Sequence, residues 1–190
     1  AYIVGFDSTS NLEAGRSWGV PTMGTSAHSF TLLHDSETEA FRSQIESMGA
    51  ETTLLVDTYE IEPAVREAVR LTDGKIAAVR IDSGDLSMAA SKVRHLLDSL
   101  GANETKIVVT SDLDEYTIAA LAAAPVDRYG VGTSLVTGSG HPTVGFVYKL
   151  VAHSDGDGWV DVAKTSPSKA NRGGKKFASR KIEDSIATAE

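Results

Sequence analysis

The sequence predicts an α/β fold built on a parallel sheet. Short apolar, β-branched runs recur along the chain, longer amphipathic segments separate them, and the two kinds alternate. On this pattern alone the sheet is either open and doubly wound or part of a barrel.

Six runs read as buried strands: residues 2–6, 20–23, 53–56, 76–81, 106–110 and 128–131. The clearest helix lies at 86–100, where Ala89, Ala90, Val93, Leu96, Leu97 and Leu100 follow Leu86 at offsets of 3, 4, 7, 10, 11 and 14. These positions make one apolar stripe at the helical period. Phe41, Ile45 and Met48 mark a second helix, Ala64, Val65, Ala68, Val69 and Leu71 a third, and Ile118, Leu121 and Ala122 a fourth. After Gly140 the pattern changes. Residues 144–152 and 159–164 read as two strands joined by the turn-rich run Ser154-Asp155-Gly156-Asp157-Gly158. Residues 164–181 hold seven basic side chains and no acidic one. A boundary is expected near 150, with the α/β unit over 1–150 and a β-hairpin and basic tail over 151–190.

Composition narrows the function. Of 190 residues, 41% are hydrophobic, enough to build a sizeable core. A formal charge of -8, from 18 basic and 26 acidic residues, argues against nucleic acid and anionic membranes as general partners. There are no cysteines, which excludes disulfides, thiolate metal sites and thiol catalysis and suits a reducing cytoplasm. No apolar run approaches the roughly 20 residues of a membrane span. The chain begins without Met inside an apolar stretch, as expected of a cut or processed end.

The chemistry collects where strands are expected to end. Asp57 follows the third run, Asp82 the fourth, Ser111 and Asp112 the fifth, and Gly132 and Thr133 the sixth. The second runs into Gly24-Thr25-Ser26-Ala27-His28. Ligands of parallel α/β folds bind at these carboxyl ends. Asp85 and Asp114 read as helix N-caps, whereas Asp57 and Asp82 close strands and read as functional. Gly130-Val131-Gly132-Thr133 can present backbone N–H groups to a phosphate, though a plain tight turn fits the spacing equally. His28 has a setting that His34, His95 and His153 lack, and a neutral imidazole there can act as a base or accept a phosphoryl group.

Taken in order, Gly24-Thr25-Ser26-Ala27-His28-Ser29-Phe30, Leu55-Val56-Asp57-Thr58-Tyr59, Val79-Arg80-Ile81-Asp82-Ser83-Gly84-Asp85, Thr110-Ser111-Asp112-Leu113-Asp114 and Tyr129-Gly130-Val131-Gly132-Thr133 resemble the nicotinate phosphoribosyltransferases. The resemblance covers nearly the whole chain. It implies an incomplete (β/α) barrel of the type II phosphoribosyltransferase kind, followed by a small β-containing segment of a second domain. It also implies the reaction: nicotinate and phosphoribosyl pyrophosphate give nicotinate mononucleotide and pyrophosphate, coupled to ATP hydrolysis, with Mg²⁺ bound.

By the same resemblance His28 is the histidine that ATP phosphorylates, Asp57 orients its ring, and Asp82 holds ribose hydroxyls. Arg80 lies beside the pyridine carboxylate and the phosphates. Ser111, Asp112, Gly132 and Thr133 cradle the 5′-phosphate and ribose, and Thr9 and Ser10 flank the pyridine. Lys149 and Lys169 reach phosphates, within the chain or from a partner subunit, and the partners implied are a homodimer or an assembly with the missing part of the enzyme. No metal ligands are assigned. Ser111 departs from the glycine often found there in the family. Other readings are a nicotinamide or quinolinate phosphoribosyltransferase, or a structural fragment inactive by itself.

Overall fold

The computed structural model describes residues 1–138, 140–166, 169–183 and 186–189. Its centre is a four-stranded parallel sheet. The strands are β1 (Thr53–Leu55), β2 (Ala78–Ile81), β3 (Lys106–Val109) and β4 (Arg128–Tyr129). Their cores are apolar on both faces, as a covered parallel sheet requires: Leu54, Leu55, Val79, Ile81, Ile107 and Val109 are all buried.

The connections carry helices whose stripes cover the sheet. α4 (Ile61–Leu71) buries Ala64, Val65, Ala68 and Val69, and α5 (Leu86–Ser99) buries Ala90, Val93 and Leu97. α3 (Glu37–Met48) precedes β1 and buries Ala40, Phe41 and Gln44. Gln44 is buried without penalty because its Nε2 donates to Thr52 Oγ1 at 2.7 Å and to the Thr53 carbonyl at 3.0 Å. Side chains cap these helices where the sequence says they should. Asp85 accepts from Met88 N at 3.0 Å, and Asp114 accepts from Thr117 N at 2.8 Å at the start of α6 (Glu115–Ala120). Shorter helices are α1 (Leu12–Trp18), α2 (His28–Leu32) and α7 (Thr133–Thr137).

Strand order decides between the two architectures. The sheet runs β1-β2-β3-β4 in chain order, with no reversal. A doubly wound sheet reverses at a switch point, whereas a barrel adds each strand beside the last. The sheet is an arc of a barrel that does not close among the described residues.

Three expected strands are not formed. Residues 2–6 carry a 3₁₀ turn, Tyr2–Val4, with Ile3 98% exposed, so the apolar side chains there meet no core. Residues 20–23 make only an isolated bridge, Thr9 to Thr22. Residues 144–151 join no ladder, and Phe146 N donates to the Val144 carbonyl at 2.9 Å in a tight turn. In each case the apolar pattern is present, but among the described residues no strand pairs with it along its length. The hairpin is shorter than expected, β5 (Ala152–Ser154) against β6 (Trp159–Asp161). A second antiparallel pair, β7 (Arg180–Glu183) with β8 (Ile186–Ala189), lies in the tail.

Candidate active site

The parallel register brings the strand ends level, since Leu55 pairs with Arg80 and Ile81 with Val109, which pairs in turn with Tyr129. The ladder continues through Val56 N to Arg80 O at 3.1 Å and Thr110 N to Ile81 O at 3.0 Å. Asp57, Asp82, Ser111 and the Gly130–Gly132 turn therefore lie along one rim. A cleft of about 570 Å³ opens there. His28, Asp82, Ser111, Asp112, Gly132, Thr133, Lys149 and Lys169, all expected at the site, line it, and so do Lys164 and Asn171.

At one end stands His28, the first residue of α2. Its Nδ1 is 3.0 Å from Thr58 Oγ1 and its Nε2 is 2.7 Å from Lys164 Nζ. Nε2 also faces Asp82 Oδ2 at 3.6 Å and Asp57 Oδ1 at 4.0 Å. Asp57 is fully buried. Its Oδ2 accepts from the Asp82 backbone at 3.2 Å and from the Ser83 hydroxyl, and lies 3.5 Å from Lys164 Nζ.

Asp82 accepts from Thr110 Oγ1 at 2.6 Å. Lys169 Nζ donates to the Asp82 carbonyl at 2.7 Å and to Ser111 Oγ at 3.0 Å, and lies 3.4 Å from Asp82 Oδ2. Burial works against ionising Asp82, but the neighbouring His28 ring, the hydrogen bond from Thr110 and the charges of Lys169 and Arg80 outweigh it and hold the carboxyl well below the usual range. Burial pushes the Lys164 ammonium down from its ordinary value, against the pull of Asp57 and Asp82.

Other expected residues sit elsewhere. Arg80 points its Nη1 at Thr25 Oγ1 in the loop before His28, and burial lowers its pKa against the pull of Asp82 and Asp57. Thr9 is held in the bridge to Thr22, with Met23 N donating to its carbonyl at 3.0 Å. Neither Arg80, Thr9 nor Ser10 lines the cleft. Sequence reasoning missed Lys164 and Asn171. The available signal was the basic run itself, which sequence alone does not separate from a solvated face.

Ser111 and Asp112 have φ of 106° and 42°, in the left-handed region that favours glycine. The conformation accounts for a glycine preference at position 111.

The description "Nicotinate phosphoribosyltransferase (NAPRTase) family" belongs to the family model that matches residues 1–188. The chain belongs to the nicotinate phosphoribosyltransferase family. A nicotinate phosphoribosyltransferase of Mycobacterium tuberculosis is 52% identical over 95% of this chain and 41% of its own length. One from Bacillus subtilis is 38% identical over 97% of this chain and 40% of its own. The chain thus spans about two-fifths of these relatives, 41% and 40%. Among solved structures, the nicotinate phosphoribosyltransferase of Porphyromonas gingivalis superposes with a TM-score of 0.75 at 22% identity, over 87% of this chain and 48% of that one. The nicotinate-nucleotide pyrophosphorylase of Pyrococcus furiosus superposes at 0.67 and 22% identity, over all of this chain (100%) and 52% of that one. At that identity the two structures speak for the fold, the barrel arc of this family.

Proposed function

We propose that this chain supplies much of the active site of an ATP-coupled nicotinate phosphoribosyltransferase acting in NAD salvage in the cytoplasm. The observation that carries the reading is the convergence of His28, Asp57, Asp82 and two lysines at one end of a cleft whose other wall is Ser111–Asp112 and Gly132–Thr133. Residues 1–150 belong to the barrel and 151–190 to a second unit. The enzyme works as a homodimer or as an assembly with the remainder of the barrel.

In this reading the ring nitrogen of nicotinate attacks the anomeric carbon of phosphoribosyl pyrophosphate. The bond from that carbon to the pyrophosphate oxygen breaks, and positive charge builds on the ribose. Asp82, ionised across the working pH range, holds the ribose hydroxyls beneath that charge. The 5′-phosphate lies against the Gly132 and Thr133 backbone. A Cβ built at Gly132 meets no atom within 4 Å, so the space on that side is open to a ligand. Ser111 and Asp112 complete that cradle. Lys149 and Lys169 reach the phosphates, and Arg80, Thr9 and Ser10 face the pyridine once the rest of the barrel is in place.

His28 couples the reaction to ATP. An N–P bond forms on the ring as the P–O bond to ADP breaks, and water later cleaves the N–P bond to give phosphate. Asp57 orients the ring through Lys164, whose Nζ lies 3.5 Å from Asp57 Oδ2 and 2.7 Å from His28 Nε2. The phosphorylated state binds substrate differently from the free state, which coupling requires.

The donor set suits Mg²⁺ carried by substrate oxygens. Among the described residues no group of three His, Asp or Glu side chains is poised for a metal, and Asp112 is an exposed carboxylate on the cleft wall. When bound, the ion would neutralise charge on the departing pyrophosphate.

Incorporation of radiolabelled nicotinate into mononucleotide by the complete enzyme tests the reading. Product that needs phosphoribosyl pyrophosphate and rises with ATP is the expected result. No incorporation under either condition would leave the chain as a structural part of some other assembly, a reading that the exposed apolar side chains of residues 144–148 would then favour.

A further inference from the structure

We propose that Lys164 is a positioning residue that fixes the tautomer of His28, donating to Nε2 and leaving the ring proton on Nδ1 against Thr58. The catalytic consequence rests on His28 being the phosphoryl acceptor; the geometry does not.

Lys164 is 4% exposed and cannot wander into solvent. Its backbone is clamped on three sides. Lys164 N donates to Asn171 Oδ1 at 2.8 Å, Asn171 N donates back to the Lys164 carbonyl at 3.1 Å, and the neighbouring Thr165 N donates to the Thr58 carbonyl at 3.2 Å. The ammonium is thereby delivered between Asp57 Oδ2, at 3.5 Å, and His28 Nε2, at 2.7 Å.

An ammonium is donor-only, so the nitrogen it meets must offer a lone pair. Nε2 is then the acceptor and Nδ1 the N–H, which donates to Thr58 Oγ1. Thr58 is fully buried, so no solvent competes for that proton.

Without Lys164 the balance reverses. Nε2 would face Asp57 Oδ1 at 4.0 Å, a carboxylate that has lost its lysine, and Asp82 Oδ2 at 3.6 Å, which Lys169 Nζ still meets at 3.4 Å from its far side but without reaching Nε2 in any hydrogen bond among the described residues. Two carboxylates draw a proton onto the nitrogen they face, and Thr58 can turn its hydroxyl to donate to Nδ1 instead. The ring would hold its proton on Nε2, or carry two protons and have no lone pair for phosphorus. Lys164 provides the positive charge that the carboxylates call for, so the ring does not have to.

The test is nitrogen NMR of His28 in the complete enzyme, labelled with ¹⁵N-histidine and assigned through His28→Gln. The parent should show a protonated Nδ1 and an unprotonated Nε2. Lys164→Met, of similar length and uncharged, should move the ring proton to Nε2 or protonate both nitrogens. Lys164→Arg keeps a buried donor and should restore the parental pattern. A protonated Nε2 in the parent, which needs no variant to fold, would overturn the proposal, as would a Lys164→Met spectrum identical to the parent. Labelling with γ-³²P-ATP separates the two readings. A parental spectrum of the expected kind with no label on His28 supports the positioning role and sinks the acceptor role.

Discussion

Glu37 opens α3 close enough to Asp57 and Glu67 to feel their charge, and its Oε1 is buried with no hydrogen-bond partner among the described residues. Burial, then Asp57 and Glu67, push its carboxyl up from 4.5 to about 7. Between those two values the folded state holds more protons than the unfolded one, so this group's contribution to stability falls as pH rises from about 4.5 to about 7. Glu37→Gln should therefore gain on the parent as pH rises through that window, and paired thermal melts across it check this; a constant difference in Tm would refute it. Ser111 gives a second prediction. At φ 106° a Cβ is strained, so Ser111→Gly should be more stable than Ser111→Ala by about 1 kcal/mol, read by urea denaturation. Lys164 was not legible as a functional residue in the sequence. Its partner His28 lies 136 positions away, and no local pattern encodes a contact of that span.

The elements were legible wherever local pattern and tertiary packing agree. The 86–100 stripe became α5 because its apolar face found a sheet to cover, and Asp85 and Asp114 cap as their positions imply. The runs at 2–6 and 20–23 have equally apolar composition, yet a strand exists only when its backbone is paired, and pairing is not written locally. Leu97 is fully buried in the α5 stripe, so Leu97→Ala should cost about 2–5 kcal/mol by denaturant titration. Asp85→Ala removes one cap and should cost about 1 kcal/mol with little effect on catalysis. Gly132, the N-cap of α7, faces open space, so Gly132→Val should leave the melting temperature close to the parent's while raising the KM for phosphoribosyl pyrophosphate. An unchanged KM would remove Gly132 from the phosphate site.

At the scale of the whole molecule, the arc has unpaired edges among the described residues, and it exposes Val144, Phe146, Val147 and Tyr148 beside the cleft, with Tyr148 100% exposed. Contiguous exposed apolar surface is what an interaction partner covers. The barrel class and the family were legible as an ordered set of strand-end motifs that together resemble those of the family, each placed where a parallel sheet collects its chemistry. The contacts that Lys164 and Asn171 make at the site were not, because residues 164–181, a Gly- and Ser-rich basic run, have no periodicity to read. In the proposed reading, the surround of His28 makes it the point where ATP enters the reaction. It is tested most directly by the apparent affinity for phosphoribosyl pyrophosphate, with and without ATP, in the complete enzyme and its His28→Ala variant. ATP should tighten binding in the parent and have no effect in the variant, which should keep slow uncoupled transfer at high substrate. Equal stimulation by ATP in both would contradict it.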